Sequence, residues 1–183
     1  MTLQEYLSKK GKAPKGKTGW LPFCALEVKT GKLWTGDPML PNEDDGCLVK
    51  VPRGKYLVEG IGMPFGSDRV VSRLRVRLES ATEPKPGKEV GDAGTDSCMI
   101  GVCEIAAFEA AYQHDAGPDR VQAALDSQTG EGFGILKVPG FPEAIMPFIP
   151  TGSDGNGPVL ALMSAGKLVG IELPFMDEED QTS

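Results

Sequence analysis

Within the stretch from Val70 to Leu78 the chain alternates strictly over its last six residues: Leu74, Val76 and Leu78 are interleaved with Arg73, Arg75 and Arg77. A period of two marks a β-strand with one face in a core and the other turned outward. A helix would mix the two sets, because its faces recur every 3.6 residues. Side chains two apart on a strand stand roughly 7 Å apart, so these arginines span about 13 Å of one face. Arg69 continues the line. A row of like charges is unfavourable unless acids answer it across neighbouring strands or on a partner.

Turns dominate the rest of the chain. Its 183 residues include 24 glycines and 15 prolines, which argues for many short strands rather than a low-complexity segment. Thr2 and Glu5 form a capping-box pattern, predicting a short helix over 2–9 that ends at Gly11. Residues 11–19 then read as a lysine-rich linker. Trp20 to Val28 and Leu33 to Gly36 read as a hairpin turning at Thr30-Gly31. Asp37-Pro38 breaks it, and residues 41–46 form an acidic loop.

Strands follow at Cys47–Val51, Tyr56–Ile61 and Val70–Leu78, then a turn-rich loop at Pro84 to Gly87. Ile105, Phe108 and Tyr112 fit a helix, and residues 119–125 a second one behind Pro118. The last third returns to strands at 133–138, 144–149, 159–163 and 168–175, the final pair joined by a turn at Ser164 to Lys167. The expected fold is mainly antiparallel β, a sandwich or a partly open barrel, with a helical insertion around residues 103–126. One domain spans residues 20–176, between the N-terminal segment 1–19 and an acidic tail 177–183.

Composition narrows the function. No run approaches the roughly 18 apolar residues of a membrane span, and no secretory signal is visible at the N-terminus. Four scattered cysteines suit a reducing cytoplasm. A net charge of −7 argues against nucleic-acid and anionic-membrane binding, which rely on a basic field. The charge is uneven, with Lys9, Lys10, Lys12, Lys15 and Lys17 near one end and Asp177 to Asp180 at the other, and both ends are expected to be solvated and mobile.

Candidate chemistry is sparse. His114 is the lone histidine, so a catalytic dyad would need Cys98 or Cys103 to meet it in space. Cys24 and Cys47 sit in apolar strands as small hydrophobes, and the spacing of the four cysteines does not make a zinc site. Asp92 and Asp96 flank Gly94, and with Asp154 they could converge for acid–base work or a hard cation. Aspartates beside glycines are equally ordinary turn formers. The glycine clusters 60–66, 130–134 and 152–157 lack the spacing of phosphate or calcium loops.

Taken in order, Gly36-Asp37-Pro38, then Val51 to Tyr56, then Asp68-Arg69-Val70 resemble a bacterial family called domain of unknown function 4241. Asp92-Ala93-Gly94 and the segment from Thr151 through Gly157 to Phe175 resemble its later steps, so the likeness runs over residues 20–176. The chain departs from the pattern in carrying Gly155-Asn156-Gly157 in place of Gly-Asp-Gly, and Cys103 or Glu104 where an aspartate is usual. The resemblance implies a β-rich fold and no established activity.

The reading that follows is a non-enzymatic protein-binding domain without cofactor or metal, an immunity or accessory factor that masks a protein partner. Its docking residues would be Arg69, Arg73, Arg75 and Arg77. The alternative is a hydrolase or metal-assisted enzyme using Asp92, Asp96 and Asp154 in a glycine-lined cleft.

Overall fold

A computed structural model describes residues 1–39, 46–112, 119, 122–123, 126–127, 132–137 and 144–176. The strands form two antiparallel sheets. The larger runs in the order β1 (Trp20–Val28), β4 (Gly54–Phe65), β5 (Asp68–Leu78), β11 (Lys167–Pro174), β10 (Gly155–Ser164), β6 (Lys85–Thr95). The smaller runs β3 (Cys47–Lys50), β2 (Lys32–Gly36), β7 (Met99–Glu104), β9 (Ile145–Pro150), β8 (Gly134–Lys137). Helix α1 is Leu3–Leu7 and α2 is Ile105–Tyr112. The acidic loop 41–45, most of the second expected helix and the acidic tail lie outside the described residues.

The two sheets share one core. Tyr56, Val58, Val71, Leu74 and Val76 of the larger sheet meet Leu33, Val49, Ile100, Val102 and Ile149 of the smaller. Each such side chain contributes roughly 1.5–3 kcal/mol when fully buried. Helix α2 covers the other face of the smaller sheet, where Trp34, Phe108, Met146 and Phe148 form a second cluster. The Phe108 ring stacks on Trp34 at 4.3 Å, and the Tyr112 hydroxyl donates to the Pro38 carbonyl at 2.9 Å. The result is a sandwich with a helical cover rather than a closed barrel.

Two expectations about connectivity fail. Strands β1 and β2 do not pair: β1 pairs with β4, and β2 with β3 and β7. The turn between them carries the chain from one sheet to the other. The Glu104 carboxylate, at the end of β7, accepts the N–H groups of Lys29 and Thr30 and holds this corner. The expected loop after Pro84 is instead the eleven-residue strand β6. It is the edge of its sheet and residues 85–90 are exposed, so no apolar alternation betrays it. An edge also tolerates Pro86, which has no N–H to donate.

The N-terminal segment is docked rather than free. Thr2 and Glu5 complete the capping box, with the Glu5 N–H donating to Thr2 Oγ1 at 3.1 Å and the Thr2 N–H to Glu5 Oε2 at 2.8 Å. A five-residue helix is too short to persist alone. It is held by burying Leu3, Tyr6 and Leu7 in the core. Gly60 and Gly62 of β4 make the seat: a Cβ on Gly60 would stand 2.7 Å from Leu3, and one on Gly62 2.4 Å from Tyr6.

Candidate functional site

The arginines of β5 divide between two faces. Arg75 faces Glu59 of β4 on one side and Glu172 of β11 on the other, and Arg73 faces Ile61. The β4–β5 register then slips, so that Gly62 faces Val71 and Ser72 is left without a partner across the ladder. Such a bulge reverses the alternation. Val71 therefore points into the same core as Leu74 and Val76, although its number is odd and theirs are even. Arg69 leaves the row with it. The Ser72 bulge is stitched in place: its hydroxyl donates to the Ile61 carbonyl at 3.2 Å, and its own carbonyl accepts the N–H of Phe175 at 2.9 Å.

Arg69 serves the N-terminal segment. Its guanidinium donates to the backbone carbonyls of Lys9, Gly11 and Lys12 and lies 5.7 Å from the centre of the Tyr6 ring. Near the far end of the segment, Thr18 and Gly62 exchange bonds, Thr18 N–H to Gly62 O at 2.8 Å and Gly62 N–H to Thr18 Oγ1 at 2.9 Å.

The remaining three arginines are answered by two acids. Arg75 and Arg77 both donate through Nε to Glu59 Oε2, at 2.8 and 2.7 Å, and Arg73 pairs with Glu172. Arg77 also donates to the Ala81 carbonyl at 2.9 Å, and Trp20 stacks under Arg75 at 4.1 Å. Burial pushes the Glu59 carboxyl up, but hydrogen bonds from Arg77 and Arg75 and their charges outweigh it and hold it below its ordinary 4.5. The exposed member is Arg73, whose side chain is 37% exposed while that of Glu172 is 3% exposed. Its Nε is buried and has no acceptor.

The candidate carboxylates do not gather. Asp92, Asp96 and Asp154 are all exposed. Asp92 stands opposite Pro158 on the β6–β10 ladder, Asp96 follows the end of β6, and Asp154 precedes β10. Among the described residues no three of the His, Cys, Asp and Glu side chains are grouped to hold a metal. Asp154 lines a cavity of about 50 Å³ with Thr95, Thr151, Ser153 and Asn156, room for a water or two.

The carboxylate that organises this corner is Asp37, taken from sequence only as a strand breaker. It is 3% exposed. Its Oδ2 accepts the N–H groups of Asp96 and Ser97, both at 2.8 Å, and the Thr95 hydroxyl at 3.1 Å. Its Oδ1 accepts the Ser97 hydroxyl at 2.7 Å and the Met39 N–H at 2.8 Å. Burial pushes the carboxyl up, yet these bonds outweigh it and hold it below its ordinary 3.8. Thr151 N–H donates to the Cys98 carbonyl at 2.9 Å, bringing the turn before β10 to the same place. Asp-Pro followed at a distance by Gly-Thr-Asp-Ser was the available signal, but nothing in the sequence says that the two meet.

Burial raises the thiols of Cys24, to about 12, and of Cys47 and Cys103, so all three stay protonated at neutral pH. His114 lies outside the described residues. The five lysines at positions 9–17 form the other charged feature. Lys9, Lys10, Lys12 and Lys15 are exposed, and none of the five pairs with a carboxylate among the described residues.

These features define an antiparallel β-sandwich with a docked N-terminal strap and a helical cover. Compared with known proteins, the chain matches no family model, no curated protein and no solved structure. Among the described residues no helix is long and apolar enough to cross a membrane.

Proposed function

We propose that this chain is a non-enzymatic protein-binding domain of the cytoplasm, an accessory or immunity-type factor that masks a protein partner. The observation that carries this reading is the arginine row on the outer face of the larger sheet. Among the described residues three guanidiniums meet two carboxylates there, Arg75 and Arg77 sharing Glu59 while Arg73 pairs with Glu172, and Arg73 is the open end of the row. Side chains already fixed by ion pairs lose little freedom on association. Arginine is also enriched among the residues that dominate binding energy.

The test replaces Arg73 and Glu172 by glutamine together, so that neither charge is left stranded in the sheet. In the full chain, captured with its partner, this variant is expected to bind at least about tenfold more weakly, or 1.4 kcal/mol. Wild-type affinity in a folded variant removes this face from the reading.

A further inference from the structure

We infer that the pinned segment Lys9–Lys17 is a second surface for the partner, beside the arginine row, and that it receives an acidic stretch of the partner's polypeptide. This rests on the protein-binding reading and names the partner's chemistry. These nine positions hold five of the chain's 19 basic residues and none of its 26 acidic ones. In a chain of net charge −7 they are a local reversal of sign.

The backbone beneath the lysines is fixed in three places. Arg69 grips the carbonyls of Lys9, Gly11 and Lys12, Ala13 is buried, and Thr18 is bonded to Gly62. Gly11 and Gly16, at φ +94° and +86°, make bends that other residues rarely adopt. Lys9, Lys10, Lys12 and Lys15 thus project into solvent from an anchored path. The group that anchors them, Arg69, is itself a cation bonded to backbone carbonyls, so the anchoring brings no carboxylate to the lysines. A partner's carboxylates meet charges that are already crowded together, at a small ordering cost.

The same features select among polyanions. The acidic remainder of the chain repels an extended polyanion such as a nucleic-acid duplex, whose charge continues along its whole length. No aromatic residue lies between positions 9 and 17 to stack on a base. The apolar anchor of the segment, Ala13, is buried and so is not available to enter a lipid surface. A short run of Asp and Glu on a partner matches the patch in sign and extent.

A short oligo-L-glutamate peptide is the probe, added to the full-length protein while backbone amide resonances are followed, with a duplex oligonucleotide and anionic vesicles in parallel. Shifts concentrated at residues 9–17 are expected, with affinity falling steeply as salt rises. Replacing Lys9, Lys10, Lys12 and Lys15 by glutamine is expected to weaken oligo-glutamate binding at least about tenfold and to flatten that salt dependence. Unchanged affinity in the lysine variant overturns the inference. So does tighter binding of the oligonucleotide or the vesicles. If the Arg73 and Glu172 double variant weakens the natural complex and the lysine variant does not, the surface is wrong while the domain reading survives.

Discussion

Replacing Asp37 by alanine strands the backbone N–H groups of Met39, Asp96 and Ser97, each now held at 2.8 Å by one carboxylate. A buried donor left without its acceptor costs about 1–3 kcal/mol. Asp96 is exposed, so water can reach part of the vacated corner and the lower part of that range applies. The expected loss is therefore about 3–5 kcal/mol, a large share of the 5–15 kcal/mol typical of a whole domain. At this chain length it lowers the melting temperature by about 6–20 °C.

Asparagine keeps one acceptor oxygen but turns an NH₂ group toward N–H donors, so about 1–3 kcal/mol is expected. Acid titrates the same contact. The Asp37 carboxyl lies below its ordinary 3.8 in the folded chain, so its contribution is complete above that pH and is lost as pH falls through the folded value. The assay is urea unfolding, followed by far-ultraviolet dichroism and by tryptophan fluorescence, since Trp34 lies against Gly36 and Gly46 beside the corner. A loss below about 1 kcal/mol at an unchanged urea slope would refute the assignment of Asp37 as the carboxylate that organises this corner.

Glu59→Ala leaves the guanidiniums of Arg75 and Arg77, each less than one-fifth exposed, without their shared carboxylate. It is expected to cost about 3–5 kcal/mol in thermal unfolding, and an effect under about 1 kcal/mol would mean that water already screens the row. Gly62→Ala puts a methyl group 2.4 Å from the Tyr6 ring and should cost about 1–3 kcal/mol. Loosening the strap this way should hasten tryptic cleavage at Lys9 to Lys17, about tenfold per 1.4 kcal/mol of docking lost, whereas unchanged cleavage would place the seat elsewhere. Burial raises Cys24 from 9.0 and Tyr56 from 10.0, each to about 12. Their stabilisation is complete below pH 9 and falls as pH rises toward 12, so urea midpoints should drop through that window, and Cys24→Ala should flatten its lower part.

The parts of the fold legible in the sequence are those fixed by local chemistry. The β5 alternation, the Thr2 cap, the helix from Ile105 and the turn at Ala165-Gly166, with φ of +48° and +75°, each depend on a few adjacent residues. The rest depends on distant partners. Nothing near Thr30 reveals that Glu104, more than seventy positions away, holds its N–H and so turns a hairpin into a passage between sheets. Strand β6 escaped because an exposed edge has no apolar side to write into the sequence. Of the candidate aspartates, Asp92 proves to lie within strand β6 and only Asp96 meets the acid that organises the corner, Asp37, which was hidden by the 58 positions that separate it from Thr95.

Ser72 acts as a change of phase in a periodic signal. Arg69 and Arg73 have the same parity, and in an unbroken ladder they would share one surface and one fate. A single unpaired residue assigns the first to the strap and the second to the open face. The two surfaces are thus written in one strand but are not interchangeable. Deleting Ser72 would bring Arg69 into step with the outer row and withdraw it from the carbonyls of Lys9, Gly11 and Lys12. The loss of one hydroxyl-bearing residue would then release a segment far away in sequence, with no change to any residue that touches the segment itself.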